Sequence, residues 1–105
     1  MAIEVREYLA ANGKAPFSQW LSSLHDRKTR VRILMRLNRV RLGNFGDCKS
    51  IGEGLFELRM TFGPGYRVYF ARAGKEIILL LGGGDKNTQS KDIENAKAAW
   101  ADFQK

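Results

Sequence analysis

The stretch "ELRMTFGPGYRV", residues 57–68, decides how this chain is read. Its two arms alternate in polarity, and a Gly-Pro-Gly turn lies between them. On the first arm Phe56, Leu58, Met60 and Phe62 point one way, while Glu57, Arg59 and Thr61 point the other. The second arm, residues 66–72, puts Val68 and Phe70 on one face and Arg67 and Tyr69 on the other. A hairpin therefore gathers Glu57, Arg59, Arg67 and Tyr69 on the face opposite its apolar side. A cross-strand Glu–Arg network would satisfy one guanidinium. Two arginines against one glutamate leave the second in surplus, and a planar guanidinium suits a phosphate.

Working outward, residues 76–81 are apolar on both faces and read as a central strand. The segment "GGGDKNTQS" then reads as a loop that delivers Asp85, Lys86 and Gln89 to the edge of the arginine face. It is not a Walker loop, because Gly-Asp-Lys-Asn stands where Gly-Lys-Ser/Thr is required. Ser90 caps a predicted helix running to about Phe103, with Ile93, Ala96, Trp100 and Phe103 at helical spacing. Upstream, the glycines of residues 43–54 predict a loop that carries Lys49.

Near the start, Ile3 and Val5 alternate with Glu4 and Arg6, so residues 2–8 read as a strand. Pro16 opens a short helix anchored by Trp20. Asp26 caps a longer helix over 27–42, in which Leu34, Leu37 and Val40, widened by Val31 and Ile33, form the expected apolar face. Lys28, Arg32, Arg36 and Arg39 stack on the opposite face. The predicted order is β-α-α-β-β-β-α: an α+β domain over residues 1–105, with a small, curved, mainly antiparallel sheet packed on an N-terminal helical hairpin and a C-terminal helix. The sheet face away from the hairpin is expected to be partly open.

The chain has 105 residues, 44% of them hydrophobic, and a net charge of +7. Residues 27–49 hold eight basic residues against one acid, Asp47, a surplus equal to the whole net charge. Unrelieved like charge of this kind favours an anionic partner held through phosphate contacts. Cys48 is the only cysteine and His25 the only histidine. No internal disulfide can form, and neither a metal nor a cofactor is expected. The start lacks the apolar run of a signal peptide, and "EIILLL" is a buried strand too short to span a membrane. A cytoplasmic protein with no membrane partner is the expectation.

The stretches "GLFELR", "FGPGYRVYF", "LLLGGGDKNTQSKDI" and "AKAAW" together resemble the HigB-like addiction-module killer proteins of the RelE/ParE toxin superfamily. With the N-terminal strand and helices, the likeness spans nearly the whole chain. It implies a small toxin of a type II toxin–antitoxin system that binds a cognate antitoxin, itself able to carry the complex to operator DNA. It also implies two helices against a curved antiparallel sheet. Many such toxins are endoribonucleases that cut mRNA in the ribosome and so inhibit translation without a metal; the ParE branch instead poisons DNA gyrase. A non-catalytic basic binding module is a further alternative.

Carried over residue by residue, the likeness matches Arg59 and Arg67 to the strand arginines, Asp85 and Lys86 to the polar segment after the last strand, and Lys49 to a loop lysine. The histidines of some HigB toxins have no counterpart. On this reading Arg59 and Arg67 hold the phosphate. Lys86 or Lys49 moves a proton where neighbouring positive charge lowers its pKa. Glu57 or Asp85 acts as base or orients the arginines. Tyr69 stacks on a base, and Gln89 lies at the rim of the RNA-binding face. Lys28, Arg32, Arg36 and Arg39 hold RNA backbone.

Overall fold

A computed structural model describes residues 3–105, so position 2 of the expected first strand lies outside the described residues. The chain forms β1 (Glu4–Glu7), α1 (Pro16–Ser23), α2 (Arg27–Arg41), β2 (Cys48–Gly52), β3 (Leu55–Arg59), β4 (Arg67–Gly74), β5 (Ile77–Gly84) and α3 (Gln89–Phe103), with a 3-10 turn at Lys86–Thr88. The five strands lie in the order β1-β5-β4-β3-β2. β1 runs parallel to β5, and the other three pairings are antiparallel. Among the described residues no helix is long and apolar enough to cross a membrane.

The expected α+β architecture is present, with one strand more than expected. β2 lies within the segment read as a glycine loop, and its pairing to β3 shifts register between Ser50 and Gly52. Such a bulge inserts a residue and bends an edge strand.

The hairpin reading of residues 57–68 holds. Leu58 pairs with Val68 and Arg59 with Arg67 across β3 and β4. The sheet then has two dissimilar faces. On one, Leu58, Val68, Phe70, Ile78 and Leu80 pack against Phe17 of α1 and Ile33, Leu37 and Val40 of α2. Each fully buried aliphatic of this set contributes about 1.5–3 kcal/mol relative to an exposed position. On the other, Leu55, Tyr69, Ala71, Leu79 and Leu81 are covered by Ala96 and Ala99 of α3. That second face is therefore closed over much of its area rather than open.

Local signals set the helix ends. Pro16 occupies the first turn of α1, and the Asp26 carboxylate accepts the Lys28 backbone N–H at the start of α2. The apolar side of α2 is narrower than its spacing predicts. Ile33, Leu37 and Val40 are buried, but Val31 and Leu34 are each 44% exposed. Trp20 is half-buried and faces β5 and Tyr66, while Phe103 at the end of α3 is largely exposed beside Trp100.

The glycine run 82–84 is strand, not loop. A Cβ on Gly83 would fall inside the Trp20 indole, and one on Gly84 would collide with the Asp92 carboxylate. The two glycines thus let a helix from each layer approach the same strand closely.

Arg36 departs from the solvated basic face expected of it. Its guanidinium turns inward, Nη1 donating to the Arg59 carbonyl at 2.8 Å and Nη2 to the Phe45 and Asp47 carbonyls at 2.6 and 3.2 Å. One side chain thereby ties α2 to the segment before β2 and to the end of β3.

Two stability outcomes follow from this packing. Gly83→Ala should cost about 1–3 kcal/mol in urea denaturation, with a changed near-ultraviolet signal from Trp20. Arg36→Ala should cost about 2–3 kcal/mol, and Arg36→Lys should recover only part of it, because an ammonium cannot fork across three carbonyls.

Tyr69 supplies a third outcome. Its ring is fully buried and its hydroxyl has no hydrogen-bond partner among the described residues. Burial, then the nearby Glu57 and Asp92 carboxylates, raises its ionisation well above the ordinary value of 10.0. The folded pKa exceeds the unfolded one, so stability is intact below about pH 10 and falls above it, where only the unfolded chain ionises. Tyr69→Phe should remove that share of the alkaline loss. At neutral pH it should leave stability unchanged or raise it by about 1–2 kcal/mol, measured by denaturation at pH 7 and pH 11.

Candidate functional site

Between the register shifts at Ser50/Gly52 and Tyr69/Phe70, the pairing of β2, β3, β4 and β5 sets side chains in rows. Lys49 sits opposite Glu57, Glu57 opposite Tyr69, and Tyr69 opposite Gly82. The next row runs from Arg59 to Arg67 to Gly84. The backbone register matches the alternation of residues 57–68, but the Arg59 and Tyr69 side chains do not join Arg67 on an open face.

Glu57 lies at the centre and is only 2% exposed. A carboxylate so buried must be compensated by partners. Gln89, at the start of α3, donates its Nε2 to Glu57 Oε2 at 2.9 Å, and Arg67 Nε lies 3.6 Å from the same oxygen. Among the described residues the Arg67 Nε has no hydrogen-bond acceptor, while its Nη1 donates to the Gly65 carbonyl at 2.8 Å. Lys86 reaches the same place from the turn after β5. A Cβ built on Gly65 would stand 3.3 Å from Arg67 Nη1 and 3.5 Å from Lys86 Cβ. Lys49 and Lys86 are both exposed. Arg67 is thus the cation beside the buried carboxylate, with Lys49 opposite Glu57 on β2 and Lys86 on the turn beside Gly65.

Other expected site residues are placed differently. Arg59 turns away from Arg67, its Nε and Nη2 donating to Asp47 Oδ1 at 3.2 and 3.0 Å. Asp85 is not a free base: its carboxylate accepts the Asn87 backbone N–H and caps the 3-10 turn. Tyr69 cannot stack on a base, because its ring is sealed beneath α3. Arg36 is spent on backbone carbonyls and is not available for RNA. Arg32 lies over the Phe62 ring, its Cζ 3.7 Å from the ring centre, while Lys28 and Arg39 are exposed. His25 is exposed at the junction between α1 and α2.

A concavity opens on the α2 side of the hairpin end. Its volume is about 380 Å³, and it lies between one stripe of α2 (Arg32, Met35, Arg36 and Arg39) and the wall formed by Asp47, Arg59, Met60 and Phe62. Sequence reasoning passed over this groove. The signal available was Asp47, the one acid in an otherwise basic segment, which now proves to hold Arg59. Cys48 stands beside Arg36 and Asp47, where burial pushes its thiol up from its ordinary value. Among the described residues no three His, Cys, Asp or Glu side chains are grouped so as to hold a metal ion.

Lysine and arginine side chains are the donor types that hold a phosphate through charge-assisted hydrogen bonds, and on this wall Arg67 stands 3.6 Å from Glu57. The α2 groove offers guanidinium groups beside thioether and aromatic surface, a different chemistry on a different wall.

Comparison with known proteins agrees with this fold. The structure superimposes on a free-state form of the E. coli toxin RelE carrying two arginine-to-alanine substitutions, with a TM-score of 0.68 over 93% of this chain and 97% of that one. The two are 15% identical, so the likeness is one of fold. An uncharacterized protein of Haemophilus influenzae is 48% identical over 81 residues, covering 77% of this chain and 82% of its own length. The sequence profile of the phage derived Gp49-like proteins (DUF891) matches residues 19–102, and the chain belongs to that family.

Proposed function

We propose that this protein is the toxin of a type II toxin–antitoxin module and acts as a metal-independent endoribonuclease on mRNA in the ribosome. The observation that supports the reading is the Glu57–Arg67 pair, with Lys49 opposite Glu57 in the strand register and the Lys86 turn beside Gly65. The shared fold with the E. coli toxin RelE supports the toxin assignment. The HigB-like motifs at residues 54–98 support the branch.

In this mechanism a ribose 2′-oxygen attacks the adjacent phosphorus. The O2′–P bond forms and the P–O5′ bond breaks, leaving a 2′,3′-cyclic phosphate and a 5′-hydroxyl. Arg67 stabilises the charge that grows on the phosphate oxygens. Glu57 is shut off from solvent by Gln89 and serves to position Arg67 rather than to meet the substrate. Proton removal from the 2′-hydroxyl and proton delivery to the leaving oxygen fall to the exposed amines, Lys49 and Lys86. Lys28, Arg32 and Arg39 hold RNA backbone at a distance from the chemistry. Arg59 supports this site through the hairpin rather than by direct contact, since Asp47 holds it.

The test is inducible expression with mapping of transcript 5′ ends. The parent protein should yield new ends and arrested translation. Arg67→Ala should reduce cleavage about 10²–10³-fold, with a cooperative unfolding transition retained. Full cleavage by that variant would remove the site assignment. DNA breaks that depend on gyrase, with intact transcripts, would replace the nuclease reading with gyrase poisoning.

A further inference from the structure

Asp47 stands as the one acid among residues 27–49, against eight basic residues. Its carboxylate meets Arg59, whose Nε and Nη2 both donate to Oδ1, at 3.2 and 3.0 Å. An arginine takes a phosphate oxygen through the same donors. The backbone sets the groups in a line. The Arg59 N–H donates to the Asp47 carbonyl at 2.9 Å, and Arg59 stands opposite Arg67 in the register of β3 and β4. Directly opposite residues of antiparallel strands lie about 4.5–5.5 Å apart at Cα and send their side chains to the same side of the sheet. Asp47 draws Arg59 instead toward the groove beside α2, which both residues line. The turn of one side chain separates this Arg59 from one beside Arg67.

We propose that Asp47 is a positioning residue that holds Arg59 in reserve, and that a phosphate bound at Arg67 displaces the carboxylate and draws Arg59 in as a second ligand. The contact is of a kind that exchanges. The Arg59 and Asp47 side chains are 39% and 47% exposed, and ion pairs so open to water contribute little to stability. Nor does the loop depend on the carboxylate. The Asp47 carbonyl, not its side chain, accepts from the Arg59 N–H and from Arg36 Nη2, so the segment keeps its place when the carboxylate lets go. Arg67 is fixed by comparison, with Nη1 on the Gly65 carbonyl and Nε 3.6 Å from Glu57. Two guanidinium groups brought together without an anion repel each other, and a phosphate between them reverses that sign. The anion thus supplies the reason for Arg59 to move.

The phosphate in question is that of the proposed nuclease site, and the functional sense of the exchange rests on that reading. In the free protein Arg59 supports the site only through the hairpin. In the occupied one it touches the substrate.

The test measures binding of the full chain to a fluorescein-labelled oligodeoxyuridylate, which lacks the 2′-hydroxyl and cannot be cut. Anisotropy titrations compare the parent, Asp47→Asn, Arg59→Gln and the double variant at several salt concentrations, with cooperative urea unfolding checked for each. Asp47→Asn keeps the size of the side chain and both backbone hydrogen bonds. It should tighten binding at least about fivefold and steepen the log–log salt slope by about 0.7, the share of one further phosphate contact. With Arg59→Gln already in place, the same change should alter affinity less than about twofold, because the two residues act through one contact. Arg59→Lys is the second background; it keeps the charge but not the paired donors, and only part of the gain should survive in it. Glu94→Gln removes an exposed carboxylate paired with Lys91 and measures the effect of bulk charge. An equal gain from Asp47→Asn with and without Arg59, no gain at all, or as large a gain from Glu94→Gln would overturn the proposal. Transcript cleavage is read separately. A protein that shows the coupling but cuts nothing keeps the exchange and loses the nuclease, whereas one that cuts while the variants act additively loses the exchange alone.

Discussion

A single buried negative charge organises the α3 side of this protein. Glu57 is nearly inaccessible, and a carboxylate taken out of water is tolerated only with close compensation. That requirement draws Arg67 across from the neighbouring strand and Gln89 down from the first turn of α3. The register of β3 against β4 and the seating of α3 are thereby coupled to one electrostatic need. The consequence for function is orientation. Arg67, held from behind, faces the turn that carries Lys86 instead of sweeping freely through solvent.

The opposite side is organised by a positive charge in the same manner. Arg36 spends its guanidinium on three carbonyls, which keeps the segment around Phe45 and Asp47 against the end of β3. Asp47 in turn holds Arg59. The pair Arg59–Asp47 is half-exposed and contributes little to stability by itself. Its effect is geometric: it separates two arginines that the register would otherwise leave side by side. The hairpin thus divides its cations between two walls, one facing α3 and one facing α2.

Much of the framework was legible in the sequence because it rests on local signals. Pro16, the Asp26 cap and the strict alternation of residues 55–62 act within a few residues of where they stand. The strand at Cys48–Gly52 was hidden because glycines flank a short, weakly alternating run, and its pairing depends on β3 being in place. The run Gly82–Gly84 read as a loop because glycine is rare in strands. Its presence makes sense only once Trp20 and Asp92 are seen to press on it from two layers. The face occupied by Glu57, Arg59, Arg67 and Tyr69 followed from period-two reasoning, but the fate of each side chain did not. Burial of Tyr69, capping by Asp85 and the inward turn of Arg36 all depend on segments distant in sequence, which no helical wheel or strand alternation contains.

The place of β2 at the border of the sheet gives Lys49 a second character. A terminal strand presents a row of amides and carbonyls that another chain can extend, and charged side chains are among the means by which proteins discourage this. Lys49, exposed on that border and aided by the irregular pairing near Ser50, guards against head-to-head sheet growth. The proposed phosphate contact and the protection of an open sheet edge thus fall on the same side chain.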